Sequence, residues 1–299
     1  MNESPAIETK ALAKSYGRTR ALEPLDLTLP RGSALALLGR NGSGKTTLIR
    51  ILVGLLAPTS GEARVFGKTP GALTEADRAQ IGYIADSQDM PDAMTVAQYL
   101  AFLRPLYPTW DETFCQKLLG LFDLPLDRRL RHLSRGQRVK AAFVGALAFH
   151  PKLLLLDEPF GGLDPAVRDE VLDALFDLMT REEWTILVSS HEIDEVERLA
   201  DAVVILDGGQ VALREDKDAL LAKCRAISLH TASSLTAAAL PEHWWNARAG
   251  ENRVTFLDSA HEPERFAADI ARHFPDAAHL AIEPAPLKAI TRALLRHND

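Results

Sequence analysis

Cysteine is scarce: Cys115 and Cys224 are the only two among 299 residues, and they lie far apart in the chain. That excludes a disulfide scaffold and a paired-cysteine zinc site, and it points to a reducing compartment. Long apolar runs are missing as well. The most apolar stretch, Ala141 to Phe149, is nine residues and runs into His150-Pro151, whereas a membrane helix needs about 18 or more. The opening MNESPAIETK has neither a basic segment nor an apolar one, so no secretory leader is expected. Basic charge is not in excess: 34 Lys+Arg stand against 41 Asp+Glu, a net charge of −7. This argues against a broad binder of phosphate backbones, and no nucleic-acid partner is expected. Low-complexity segments and internal repeats are absent too, which excludes a disordered chain and a tandem array.

What remains is an ordinary folded composition, 46% hydrophobic and 25% charged, with length enough for about two domains. The first two thirds alternate short apolar runs with helical stretches, the pattern of an α/β domain. Ala34–Leu38 reads as a buried strand ending in a glycine-rich turn, and Thr46–Leu56 as a helix stopped by Ala57-Pro58. Leu153–Leu156, Thr185–Ser189 and Val203–Leu206 read as further buried strands, the last followed by the hairpin signal Asp207-Gly208-Gly209. Between them, about 88–149 reads as an inserted helical subdomain cut by Pro105, Pro108 and Pro125. From about Asp218 the texture changes to Ala-rich helical pieces and short strands such as Arg253–Leu257 and His279–Ile282. The expected division is therefore 1–217 and a small α+β appendix, 218–299.

Gly39-Arg40-Asn41-Gly42-Ser43-Gly44-Lys45-Thr46-Thr47 contains a complete G-x-x-x-x-G-K-[ST] phosphate loop between a strand and a helix. Its glycines let backbone N–H groups turn toward phosphate, Lys45 supplies a point charge to the β- and γ-phosphates, and Thr46 supplies a hydroxyl to Mg²⁺. Read as a glycine turn alone, the segment leaves the lysine and threonine unexplained. Asp157 and Glu158 stand at the end of the strand Leu153–Leu156, where a parallel sheet places its ligands. Asp157 suits Mg²⁺ and Glu158 suits an attacking water. On their own they are equally a solvated acidic turn, but the phosphate loop upstream favours the functional reading.

Leu133-Ser134-Arg135-Gly136-Gln137, just ahead of a helix, resembles the LSGGQ signature of ATP-binding cassette (ABC) ATPases, with Arg135 where that family most often has Gly. The other elements follow in the family's order over about residues 6–215. Tyr16 looks like the aromatic that stacks on adenine, Gly161-Gly162-Leu163-Asp164 like the D-loop, and His191 like the switch histidine at the γ-phosphate. The Q-loop departs: after Ile81-Gly-Tyr-Ile84 the glutamine slot holds Asp86, with Gln88 two residues later. Either can approach Mg²⁺; a neutral amide can also hydrogen-bond water, which favours Gln88 as both catalytic and metal-contacting residue.

The resemblance implies a P-loop NTPase core that binds ATP and Mg²⁺. It implies a head-to-tail homodimer in which Gly39–Thr47 of one subunit faces Ser134, Gly136 and Gln137 of the other across the nucleotide, with Asp164 nearby. A single cassette without a membrane segment also implies a separate integral membrane permease and a peripheral place on the cytoplasmic face of the inner membrane. Leu106–Asp111 and the terminal helix from Pro286 resemble the bacterial ABC-2-type exporter branch. Import remains the alternative. A soluble ABC ATPase of translation or repair lacks support, since no second cassette or heptad run is present. A P-loop kinase would leave Ser134–Gln137 and His191 without roles.

Overall fold

Long strands of mixed polarity open the chain. Ile7–Tyr16 (β1) turns at Gly17 into Thr19–Leu29 (β2), followed by Ala34–Gly39 (β3), the helix Lys45–Leu52 (α1) and Ser60–Val65 (β4). β1 is the central strand of an antiparallel sheet of order β2-β1-β4. Its pairing shifts register between Thr9 and Ser15, where Ala11 sits at φ 45°. The computed structural model describes residues 4–87, 89–179, 184–231 and 240–297. The chain separates into two units, Met1–Leu213 and Arg214–Asp299.

The rest of the first unit is a parallel sheet with its helices. Glu75–Arg78 (α2) and Ile81–Ile84 (β5) precede the helices Val96–Leu103 (α3), Glu112–Phe122 (α4) and Arg135–Leu147 (α5). Then come Leu153–Asp157 (β6), Pro165–Met179 (α6), Thr185–Ser190 (β7), Ala202–Asp207 (β8) and Gln210–Asp216 (β9). The six-stranded order is β5-β6-β7-β3-β8-β9, and β5 through β8 run parallel. β3, β6 and β7 are buried at every position, which is why their runs are continuously apolar rather than alternating. With β7 seated between β3 and β6, the carboxyl ends of all three open onto one crevice, the place where open α/β sheets bind ligands.

α1 ends earlier than its apolar run suggests, at Leu52 rather than Leu56. Gly54 takes φ 79°, and the N–H groups of Leu55 and Leu56 both return to the Arg50 carbonyl, so a left-handed glycine closes the helix before the proline. The helical segment divides as its prolines require. Thr95 caps α3 and Ser134 caps α5 through reciprocal bonds with Gln98 and Gln137, and Asp111 caps α4. The apolar stretch Ala141–Phe149 is the buried C-terminal half of α5 and its exit.

The second unit contains Lys217–Lys223 (α7), Arg225–His230 (β10), Trp244–Ala249 (β11), Arg253–Asp258 (β12), Pro263–His273 (α8), Ala278–Pro284 (β13) and Leu287–His297 (α9). Its antiparallel sheet has the order β11-β12-β10-β13. Ile227, Leu229, Trp244 and Phe256 form a core with Phe266, Ile270 and Phe274, and Trp244 stacks on Phe256 with ring centroids 4.2 Å apart. α9 buries Leu287, Ile290 and Ala293. Among the described residues, no helix is long and apolar enough to cross a membrane.

Candidate functional site

The loop between β3 and α1 is shaped by close approach. A Cβ on Gly39 would lie 2.3 Å from the Leu206 carbonyl oxygen, and one on Gly44 would lie 2.6 Å from that of Ala21. Gly44, at φ 102°, is also the N-cap of α1, so the loop feeds directly into the positive end of that helix. Arg40, Asn41 and Gly42 are exposed on its outer side, and Thr46 and Thr47 are half-buried in the first turn of α1. The Ser43 Oγ is buried with no hydrogen-bond partner. An orphaned hydroxyl of this kind is costly unless a ligand satisfies it, and it fits a phosphate oxygen.

Lys45 is almost fully buried, 4% exposed. Its Nζ donates to the carbonyls of Gly39 (2.7 Å) and Arg40 (3.1 Å) and lies 3.1 Å from Glu158 Oε1. The ammonium thus spans the hollow of the loop and pairs with the acid from β6. Asp157 ends β6 in register with Ser189 of β7, and its Oδ1 accepts from the hydroxyls of Thr46 (3.0 Å) and Ser189 (2.9 Å). Burial raises its pKa above the ordinary carboxylate value; the two hydroxyls oppose the shift, and the charges of Glu158 and Asp86 add to it. Hydroxyl and carboxylate oxygens are hard donors, so the Thr46–Asp157 pair fits Mg²⁺.

Glu158 is held from both sides. Its backbone takes φ 47°, a strained conformation for a non-glycine residue, and its N–H donates to Ser189 Oγ at 2.9 Å. Its Oε2 lies 2.8 Å from His191 Nδ1 and accepts from the His191 backbone N–H at 3.3 Å. Ser189 therefore serves both acids at once, accepting from Glu158 and donating to Asp157. Sequence reasoning read it only as the end of a strand. Its position two residues before His191, facing Asp157 across the sheet, was the available signal.

The structure brings Lys45, Thr46, Asp157, Glu158 and His191 together. Tyr16 stays half exposed at the tip of the β1–β2 hairpin, with the Lys14 ammonium 5.3 Å from its ring centre. Ser134, Gly136 and Gln137 form the start of α5, and no hydrogen bond among the described residues joins them to the phosphate loop. Asp164 precedes α6, with Oδ1 accepting from Ala166 N–H at 2.9 Å. Gln88 lies outside the described residues.

Comparison with known proteins agrees with this geometry. Residues 22–161 match the family described as ABC transporter. The sulfate/thiosulfate import ATP-binding protein CysA of Escherichia coli K12 is 36% identical over 222 residues, 71% of this chain and 60% of that protein. The chain thus spans about three fifths of the length of that relative. The ABC transporter ATP-binding protein YtrB of Bacillus subtilis is 31% identical over 72% of this chain and 73% of its own length. The daunorubicin/doxorubicin resistance ATP-binding protein DrrA of Streptomyces peucetius is 35% identical over 78% and 74%. A solved ATP-binding subunit of an ABC transporter superposes with a TM-score of 0.65 at 30% identity, over 72% of this chain and 91% of that one. A bacterial ABC transporter cassette solved as a dimer shares the fold, with a TM-score of 0.64 at 24% identity over 71% and 98%. With a P-loop NTPase core, its acids at the carboxyl end of β6, and this identity along most of YtrB and DrrA, the chain belongs to the ABC transporter ATPases.

Proposed function

We propose that this chain hydrolyses ATP with Mg²⁺ and, as a homodimer on the cytoplasmic face of the inner membrane, powers export through a separate permease. The observation that carries the reading is the convergence of Lys45, Thr46, Asp157 and Glu158 around a loop holding an orphaned Ser43 hydroxyl. Lys45 binds the β- and γ-phosphates, and Thr46 and Asp157 hold Mg²⁺, which neutralises phosphate charge. Glu158 accepts a proton from the water that attacks the γ-phosphorus, and the bond to the β–γ bridging oxygen breaks to leave ADP and phosphate. His191 holds the Glu158 carboxylate by Oε2. In the dimer, Ser134, Gly136, Gln137 and Asp164 face the partner's nucleotide, Tyr16 stacks on adenine, and Gln88 in the loop after β5 contacts metal and water. A dimeric cassette of the same fold supports the assembly.

The helical segment offers a surface for the permease. A groove of about 250 Å³ is lined by Tyr83, Tyr99, Leu103, Tyr107 and Phe149, and Phe102 and Leu106 are about half exposed nearby in the chain. Export is favoured because the match to the drug-resistance protein runs further, 248 residues and 74% of its length, than the match to the importer. The identity to CysA supports import as the second reading. Affinity isolation of the tagged chain from detergent-solubilised membranes tests both. A co-isolated permease without a substrate-binding protein supports export, whereas a substrate-binding protein in the complex supports import. Failure to hydrolyse ATP with Mg²⁺ would refute the enzymatic reading.

A further inference from the structure

Arg135 is the one position of the signature loop that departs from the usual family pattern, and its surroundings give it a task. It is the first residue of α5, in a helical turn that contains no acid, where a cation meets the positive end of the helix dipole. It makes no ion pair or hydrogen bond among the described residues, so neither explains an arginine here. Its guanidinium instead lies against the backbone that follows Glu158. A Cβ built on Gly162 would be 2.9 Å from Arg135 Nη1, 3.0 Å from Cζ and 3.4 Å from Nη2, and one on Gly161 would be 4.0 Å from Nη2. Gly162 has φ 67°, and the turn it belongs to returns to the acid: Gly161 N–H donates to the Glu158 carbonyl at 3.2 Å. Beside it, a Cβ on Gly136 would lie 2.7 Å from Val167 Cγ1, so the first turns of α5 and α6 are already in close contact.

We propose that Arg135 is a positioning residue for hydrolysis. It lies across the Gly161–Gly162 turn, limits that turn to the conformation that holds Glu158 at its strained φ, and so acts through Glu158 on the attacking water. The proposal rests on Glu158 as the base. It assigns the arginine to the acid's own subunit, whatever the partner's signature loop does. A lysine keeps the charge but lacks the flat, three-nitrogen head that covers the turn.

The test is steady-state ATP turnover and labelled-ATP binding by the purified full chain, for Arg135→Ala, Arg135→Lys and Gly162→Ala, singly and combined. Arg135→Ala should lower kcat about 10- to 100-fold, the cost of a small misplacement at a reacting group. ATP affinity and Tm should be unchanged, and Arg135→Lys should not restore the rate. Gly162→Ala displaces the same guanidinium, so adding it to Arg135→Ala should cost much less than it does in the parent. In a Glu158→Gln background, Arg135→Ala should change turnover little. Unchanged kcat in Arg135→Ala, a loss confined to ATP affinity, or multiplicative effects with Gly162→Ala would overturn the proposal. If Glu158→Gln itself turns over at the parent rate, the base assignment fails, and the Arg135–Gly162 pair alone then decides whether the contact governs kcat.

Discussion

Replacing Glu158 by glutamine separates two tasks that the structure gives one carboxylate. Oε1 faces the Lys45 ammonium at 3.1 Å, and Oε2 accepts the His191 backbone N–H at 3.3 Å with Nδ1 at 2.8 Å. A glutamine has one terminal oxygen and one NH₂ group. If its oxygen faces Lys45, the NH₂ meets the His191 N–H; if it faces His191, the NH₂ meets the ammonium. Either way one charge-assisted contact is lost, about 1.5–3 kcal/mol for a hydrogen bond to a charged group. The ammonium gains most from the change, because ATP binding already requires it to leave Glu158 for phosphate. At the lower figure, the variant should bind ATP about tenfold more tightly than the parent. Turnover should fall by about 10²–10⁴, the usual share of general-base catalysis. Since hydrolysis is what opens the dimer, ATP and Mg²⁺ should convert the variant into a species of twice the 32.8 kDa chain mass, read by size exclusion with light scattering. Parent turnover would refute the base. Binding weakened tenfold with slow turnover would instead show that the Lys45–Glu158 pair holds the loop open for nucleotide.

Lys45→Ala removes the buried cation and strands the Glu158 charge and the carbonyls of Gly39 and Arg40; labelled-ATP titration should show binding or turnover abolished. Tyr16→Ala should weaken ATP by about 1–3 kcal/mol if the ring stacks on the base, with Tm unchanged because the ring is half exposed. Asp157→Asn should melt at a higher temperature than the parent near neutral pH without Mg²⁺. Burial raises the Asp157 pKa, so the folded chain binds a proton more readily than the unfolded one, and stability falls as pH rises from the ordinary value of 3.8 through the raised one. Thermal melts across pH should therefore show the difference closing below 3.8, where both side chains are neutral, and Mg²⁺ should stabilise only the parent.

The buried parallel strands were legible because burial on both faces leaves an unbroken apolar run, as in Leu153–Leu156. Motif spacing placed the phosphate loop on the same grounds, since the glycines, Lys45 and Thr46 are each demanded by a separate piece of phosphate chemistry. β1, β2 and β4 were not read. Their register shifts between Thr9 and Ser15 break the two-residue alternation that marks a half-buried strand, and Pro24 inside β2 reads as an interruption. The end of α1 was misplaced for a comparable reason: Leu55 and Leu56 continue the apolar pattern, but the left-handed Gly54 had already ended the helix.

Side chains that act on other side chains were the least visible part of the site. Ser189 looks like one more strand residue until β7 lies beside β6; only the pairing Asp157↔Ser189 puts its hydroxyl between two acids. The Lys45–Glu158 pair joins a loop after β3 to the end of β6, and those strands are not neighbours, because β7 separates them. Such contacts depend on the order of strands in the sheet. A motif specifies which residues meet the nucleotide, and the sheet order specifies what they hold when the nucleotide is gone. That second specification makes Glu158→Gln informative: it alters the nucleotide-free partner of Lys45 and the base for water in one substitution, through effects of opposite sign on binding and turnover.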